Sequence, residues 1–204
     1  MGKEHTILEP FTRNPWEKLA FKQVMDMSGN KSYNYVHSRL KKFVKKGILL
    51  EEKAGNVILY SISRSVVALN TLGQVAEHKA NTAKHLPHRN IQKIIDKLKT
   101  AYYTFLITGS YSKDKQTPKS DVDIIIICDD NQKPMSVMAE IKMECELSMP
   151  RFHPYVFRES EFFKMLINKE ENYGKEAARH NLIITGAKQY YDLLLKAVNN
   201  GFRG

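Results

Sequence analysis

Two aspartates and a glycine–serine pair between positions 104 and 130 are the residues whose types and spacing indicate chemistry. The run reads TFLITGSYSKDKQTPKSDVDIIIICDD, and Asp121 and Asp123 stand at the start of its isoleucine-rich end. Because side chains alternate between the faces of a strand, both carboxylates are predicted to project from one face. Such a pair is costly without a cation, and Mg²⁺ takes carboxylate oxygens together with substrate phosphates. The pair therefore predicts a divalent-metal site.

Gly109 and Ser110 end the apolar run that precedes the aspartates. Glycine lets a backbone approach a ligand closely, and serine offers a hydroxyl and an N–H group to a phosphate. Lys113, Lys115 and Lys119 lie in the loop between the two halves, where a cation would suit a bound phosphate. The alternatives are an exposed loop whose lysines are only solvated, and a polar hairpin with two unrelated aspartates.

The order Gly-Ser, nine residues, Ser-Asp-x-Asp and an apolar strand resembles the motif of the nucleotidyltransferase superfamily related to DNA polymerase beta, in its minimal branch. The resemblance implies an α/β (α+β) fold with a short mixed sheet flanked by helices. It also implies binding of a nucleoside triphosphate (NTP) with Mg²⁺ or Mn²⁺, with Asp121 and Asp123 as catalytic metal ligands. The candidate nucleotide-binding residues are Gly109, Ser110, Lys113 and Ser120.

One position departs from the resembled pattern. The family carries a third carboxylate on a strand shortly before a helix start like Glu161-Phe162, and counting back places His153 there. A histidine can act as a base near neutral pH, so His153 is the candidate for that role, although it is a poorer ligand for Mg²⁺. Substitutes for the third acid would be Glu144, Glu146 or Glu159, if the fold brings one of them to the site.

The net charge of +10 is confined to the first hundred residues. Residues 1–65 carry 12 Lys and Arg against 6 Asp and Glu, residues 66–100 carry 6 against 2, and residues 101–204 carry 14 of each. A basic excess in one part of a chain indicates a polyanionic partner there. The alternative is a basic surface that only contacts solvent.

Residues 6–63 are predicted to form helix, short helix, turn, longer helix and hairpin. The helices are expected over 6–14, 19–27 and 32–46, with Ser32 as the N-cap of the third and Gly47 after its end. Residues predicted to face inward are Leu19, Val24, Met27, Tyr33, Val36, Leu40, Phe43 and Val44.

That order of elements resembles a winged helix-turn-helix, which implies DNA binding, or alternatively RNA binding, through the third helix. A further alternative is that the domain docks a protein. The candidate DNA-binding residues are Lys31, Tyr33, Asn34, His37, Ser38, Lys41, Lys42 and Lys45, with Lys46 nearby and Lys53 and Asn56 at the wing tip.

The remaining chain is predicted to contain helices over 64–79, with Val66 inward, over 90–100 and over 134–148, with Leu147 inward. Strands are predicted over 102–108, 122–128 and 153–157, and a final strand and helix follow. The proposed organisation is a winged-helix domain at 1–65, a helical linker at 66–100 and a nucleotidyltransferase-like domain at 101–204. The spacing of His78, His85 and His88, without a nearby Cys or paired acid, does not favour a metal site.

Two functions are compatible with these observations. The first is an enzyme that transfers a nucleoside monophosphate from an NTP to a hydroxyl acceptor. The second is a non-catalytic DNA-binding transcriptional regulator or antitoxin-like protein, whose nucleotidyltransferase-like domain only binds a nucleotide or a partner. A homodimer and a small helical protein are further expected partners. We expect a soluble cytoplasmic protein without a membrane partner, because no signal peptide and no apolar run near the roughly 20 residues of a membrane span is present. Cys128 and Cys145 are expected to be core thiols.

Overall fold

The first part of the chain forms a small sheet with helices on it. The computed structural model describes residues 2–204. A 3₁₀ helix (Lys3–Leu8) leads into helix α1 (Glu9–Arg13), strand β1 (Leu19–Ala20) and helices α2 (Phe21–Met27) and α3 (Tyr33–Lys45). Strands β2 (Leu49–Ala54) and β3 (Val57–Ile62) then form a hairpin, and the antiparallel sheet has the order β1-β3-β2.

The second part contains a four-stranded mixed sheet. Its elements are α4 (Val66–Asn81), α5 (His88–Ile95), β4 (Tyr103–Ile107), α6 (Gly109–Ser112), β5 (Val122–Cys128), α7 (Pro134–Leu147), β6 (Phe152–Arg158), α8 (Glu159–Ile167), α9 (Tyr173–Arg179), β7 (Leu182–Thr185) and α10 (Ala187–Asn199). The strand order is β6-β5-β4-β7, with β5 and β6 parallel and the other pairs antiparallel. The predicted mixed sheet flanked by helices is confirmed. No helix within residues 2–204 is both long and apolar enough to cross a bilayer.

The alternation of side chains along β5 divides the interior into two cores. Ile124 and Ile126 pack with α5 and α7 on one face, whereas Ile125 and Ile127 pack with α8, α9 and α10 on the other. The second core continues through α4 into the N-terminal sheet, so both parts of the chain share it. Because both faces of β5 are covered, its isoleucine run is buried, as an inner strand requires.

Several predicted boundaries are confirmed and others are wrong. Ser32 caps α3, since its hydroxyl accepts a hydrogen bond from the N–H of Tyr35 at 3.4 Å, and Gly47 follows the helix with a φ of 67°. The helix predicted over 19–27 is wrong at its start, because Leu19 and Ala20 pair with β3. The helix predicted over 90–100 is also wrong in its bounds, because α5 occupies His88–Ile95.

Four residues predicted to face inward are instead exposed. Each stands at the first or last position of its helix, where the apolar stripe extends beyond the neighbouring element that covers the helix centre. They are Met27, Tyr33, Val66 and Leu147. Burial of helix ends therefore depends on tertiary neighbours that the helical period does not encode.

Gly186 connects β7 to α10 in a conformation that a side chain would disturb. Its φ is 78°, and a Cβ there would lie 2.4 Å from the carbonyl oxygen of Tyr103 and 2.7 Å from the Cα of Thr104. We expect Gly186→Ala to lower the free energy of unfolding by about 3 kcal/mol, the sum of left-handed strain and overpacking. Urea-induced unfolding followed by circular dichroism measures this change.

The matched control is Gly55→Ala, because Gly55 has a φ of 60° but no atom within 4 Å of its Cβ position. That substitution retains the backbone strain without the steric overlap, so a loss of only about 1 kcal/mol is expected. Equal losses in the two variants would contradict the contribution of packing at Gly186.

Candidate active site

The turn at Gly109 packs against the carboxylate of Asp123 at one end of the paired strands β4 and β5. The antiparallel register pairs Ile107 with Ile124, and the N–H of Thr108 donates to the carbonyl oxygen of Asp123 at 2.9 Å. Gly109 follows with a φ of 63°, and a Cβ on it would lie 2.1 Å from Oδ2 of Asp123. Any side chain at 109 would therefore displace the Asp123 carboxylate, which explains why glycine begins α6.

The carboxylate of Asp123 lies in an environment that disfavours its charge. Burial raises the pKa of Asp123, the neighbouring His153 opposes this, and the carboxylates of Asp121 and Glu176 raise the pKa further. Burial and like charges both favour the protonated acid. A hard cation beside these oxygens would remove the repulsion, so the donor set of Asp121 and Asp123 fits a divalent ion such as Mg²⁺.

An aromatic wall borders Asp123 on the side of β6. The parallel register sets His153 opposite Asp123, with Nδ1 of His153 3.7 Å from Oδ1 of Asp123. The ring of Tyr155 lies 4.8 Å from that of His153 and 4.7 Å from that of Tyr173. Counting along the sequence placed His153 at the position of the family's third acid. In the structure His153 is adjacent to the Asp123 carboxylate.

Tyr173 joins this wall to the end of β4. Its hydroxyl lies 2.9 Å from Oγ1 of Thr108, within hydrogen-bonding distance. Burial raises the pKa of Tyr173 to about 12, so the phenol is protonated at neutral pH. Tyr173 therefore fixes the position of α9 against the turn that precedes Gly109.

Asp121 has a different environment from Asp123. It stands just before β5, is exposed, and borders a cavity of about 430 Å³. Lys142, Glu146, Arg151 and His153 also border this cavity, so it has one cation from α7 and one from the residue that precedes β6. Asp121 thus faces an open space beside the site, whereas Asp123 lies partly within the fold.

The polar residues between the motif halves make mainly local contacts. The hydroxyl of Ser120 accepts a hydrogen bond from the N–H of Thr117 at 2.9 Å and closes the turn before Asp121. The ammonium group of Lys113 lies 3.2 Å from Glu176. Ser110 is partly buried, and its carbonyl accepts the N–H of Lys115 at 3.0 Å.

The substitutes considered for the third acid lie in separate places. Glu146 borders the cavity beside Asp121, whereas Glu159 follows the opposite end of β6 from His153 and approaches Lys196 at 3.8 Å. Glu144 lies on α7, with its carbonyl accepting the N–H and hydroxyl of Ser148. Within residues 2–204, no three His, Cys, Asp or Glu side chains are grouped to hold a metal ion.

Sequence reasoning missed α9, which supplies Tyr173 and Glu176 to this site. The helix has seven residues, and its N-cap, Asn172, accepts a hydrogen bond from the N–H of Lys175 at 3.2 Å. The order Asn-Tyr-Gly-Lys-Glu contains this cap, which was the one local signal for a helix start.

The candidate DNA-binding residues lie on or just before α3. Lys31, Tyr33, Asn34, His37, Ser38, Lys41 and Lys45 are exposed, and Lys42 is partly buried. Two of the lysines already have carboxylate partners, since Lys41 lies 2.9 Å from Glu51 and Lys42 lies 2.9 Å from Glu4. The rings of Tyr33 and His37 are stacked at 6.1 Å.

The raised pKa of Asp123 predicts how its charge affects stability. An acid whose pKa is higher in the folded protein makes folding less favourable as the pH rises through its usual value of 3.8. We therefore expect Asp123→Asn to raise the free energy of unfolding at pH 7 and to have little effect at pH below that value. Urea unfolding at several pH values measures the difference.

The control for this prediction is Asp26→Asn, because Asp26 is exposed on α2. The control is expected to leave the free energy of unfolding unchanged at every pH. A destabilised Asp123→Asn protein at pH 7 would contradict the unfavourable environment of the carboxylate.

A family model matches the segment of the chain that holds the site. Residues 89–183 match the family model of the nucleotidyltransferase domain. No curated protein sequence matches the chain. A solved structure described as "Crystal structure of the toxin-antitoxin with AMP-PNP" aligns at 17% identity and a TM-score of 0.39, over 56% of this chain and 84% of that chain. Residues 89–183, which include the Gly109 turn, both aspartates and His153, are therefore similar to nucleotidyltransferase domains.

Proposed function

We propose that the chain is a Mg²⁺-dependent or Mn²⁺-dependent enzyme that transfers a nucleoside monophosphate from an NTP to a hydroxyl acceptor. The observation that carries this proposal is the packing of Gly109 against the carboxylate of Asp123. This packing sets the turn at Gly109, which could bind a phosphate, beside carboxylates that could bind a metal ion. A metal–NTP complex requires both. The match of residues 89–183 supports the reaction class.

In this proposal Asp121 and Asp123 would hold the metal ion, which would supply neutralisation of the phosphate charge. The backbone and hydroxyl groups of Gly109 and Ser110 bind the β- and γ-phosphates, with Ser120 beside them and Lys113 as a countercharge. The acceptor oxygen bonds to the α-phosphorus, the bond to pyrophosphate breaks, and His153 takes the hydroxyl proton. Positioning and charge neutralisation supply most of such catalysis, so few side chains are needed.

We also propose that residues 1–65 are a winged helix-turn-helix domain that binds DNA, or alternatively RNA, joined through residues 66–100 to a nucleotidyltransferase-like domain at 101–204. The order of α1, β1, α2, α3 and the β2–β3 hairpin supports this proposal. The exposed face of α3 supports it further, because Lys31 and Lys45 have no carboxylate within 4 Å in the described part of the chain. A homodimer is part of the same proposal.

A second candidate is a non-catalytic regulator or antitoxin-like protein, with a small helical protein as partner. His153 favours it, since the register opposite Asp123 holds an imidazole instead of an acid. Such a protein would bind a metal–nucleotide complex through the same residues without turnover.

Purified protein with α-labelled NTPs, Mg²⁺ or Mn²⁺ and mixed RNA, DNA and protein acceptors tests the first candidate. We expect metal-dependent label transfer that falls at least about 100-fold in Asp121→Ala/Asp123→Ala, because removal of metal ligands costs about this much or more. Lys164→Ala on the exposed side of α8 is the control and should retain activity.

The outcome separates the two candidates. NTP binding that requires both aspartates without transfer to any acceptor would support the regulator. Transfer that persists in the double variant would contradict the assignment of the metal ligands.

DNA binding is tested with the unpaired lysines of the N-terminal part. We expect Lys31→Gln/Lys45→Gln to weaken binding and to reduce the slope of log K against log salt by about 0.9 for each lost phosphate contact. Fluorescence anisotropy with duplex DNA at several salt concentrations measures the slope. The exposed pair Lys164→Gln/Lys169→Gln is the matched control. An unchanged slope would exclude α3 as the DNA-contacting helix.

A further inference from the structure

A cavity of about 470 Å³ lies where the N-terminal part of the chain meets the four-stranded sheet. We call it the basic cavity. Its walls come from the end of α1, from α4, from the end of α6 and the loop after it, and from the junction of α9 with β7. It therefore adjoins the turn at Gly109 but lies on the side of β7, away from the cavity that Asp121 borders.

Cations predominate in the wall of the basic cavity. Arg13, Lys79, Lys113 and Arg179 line it, whereas Asp114 is the one carboxylate residue of the described chain among its lining residues. The Asp114 side chain is 75% exposed, so its charge is largely screened by solvent. The cavity wall thus has an excess of positive charge.

The carboxylates that pair with these cations lie outside the cavity lining. Glu176 approaches Lys113 at 3.2 Å, and Glu171 approaches Arg179 at 2.7 Å. For Arg13, no carboxylate lies within 4 Å in residues 2–204. Arg13 is consequently a cation with donors to offer a ligand.

Lys79 is the most enclosed cation in the wall. Burial lowers the pKa of Lys79, and the nearby charge of Arg13 lowers it further, while Glu9 at 3.6 Å only partly compensates. On the opposite wall, burial and the charge of Lys113 lower the pKa of His180. A neighbouring cation disfavours the charge of each of these two groups, and an anion between the walls would stabilise their charged forms.

Apolar side chains form the remainder of the wall. Ala76, Ala178, Ile183 and Tyr191 are buried and line the basic cavity. The hydroxyl of Tyr191 donates to the carbonyl oxygen of Thr12 at 3.0 Å, so the ring lacks a free polar group in the cavity. A volume of this size lies in the range typical of small-molecule sites, which combine an apolar wall with a few polar groups.

We propose that the basic cavity binds a small organic phosphate, with its phosphate group on Arg13, Lys79 and Lys113 and its organic part on the apolar wall. Arg13 and Lys79 lie outside residues 89–183, so this site is built jointly by the N-terminal part and the nucleotidyltransferase-like segment. The basic cavity shares Lys113 with the proposed NTP site, but neither Asp121 nor Asp123 lines it, so binding there is not expected to need the proposed metal ligands.

Isothermal titration calorimetry with adenosine 5′-monophosphate, in EDTA and at low salt, tests this site. We expect saturable binding that weakens about tenfold or more in Lys79→Met and in Arg13→Gln, since each removes a charge-assisted hydrogen bond. Lys79→Arg should retain most of the affinity. Asp123→Asn and the exposed control Lys97→Met should bind as the wild type does.

Other outcomes would overturn the proposal. These are absence of saturable binding, unchanged affinity in both Lys79→Met and Arg13→Gln, or loss of binding in Asp123→Asn. Inorganic phosphate bound as tightly as the nucleotide would overturn the role of the apolar wall. Thermal unfolding verifies that each variant is folded, and Arg13→Gln keeps the test valid if Lys79→Met is not, because Arg13 is exposed.

Discussion

The site depends on the packing of a backbone turn against one carboxylate. The pairing of β4 with β5 brings Gly109 so close to Asp123 that a Cβ would overlap with Oδ2. The carboxylate has an unfavourable environment there, because burial and neighbouring acids raise its pKa. Two well-packed cores on either side of the sheet supply the stability that offsets this cost. A carboxylate whose pKa is raised by burial and by neighbouring acids is typical of a functional site.

The edge of the sheet at this turn concentrates the polar groups that the cores exclude. Asp123, His153 and Thr108 lie where β5 and β6 begin and β4 ends, and β7 begins at the same edge. Rigid strands therefore fix these groups, while short helices and loops complete the surroundings. Asp121 borders one cavity and Lys113 borders another, so two separate cavities lie beside this edge of the sheet.

Local patterns in the sequence predicted the strands of this edge and the third helix, because strong apolar runs and a serine cap specify them. The pattern could not predict β1, whose two residues form a strand only by pairing with Leu59 and Tyr60, far along the chain. It also missed α9, since a helix of seven residues has little periodicity and is stabilised by tertiary contacts such as the one between Tyr173 and Thr108. The periodicity of apolar residues also does not predict cavities, because their linings come from segments that are far apart in the sequence.

The ion pairs of the first hundred residues reduce the number of cations that are free to bind a partner. The first hundred residues hold the whole basic excess, but Lys41, Lys42 and Lys79 have carboxylate partners within their own part of the chain. The net charge consequently overstates the number of cations that are free for a partner. Those without a carboxylate neighbour in residues 2–204 include Lys31 and Lys45 around α3 and Arg13 at the basic cavity. The basic excess therefore separates into exposed cations around α3 and cations that line the basic cavity.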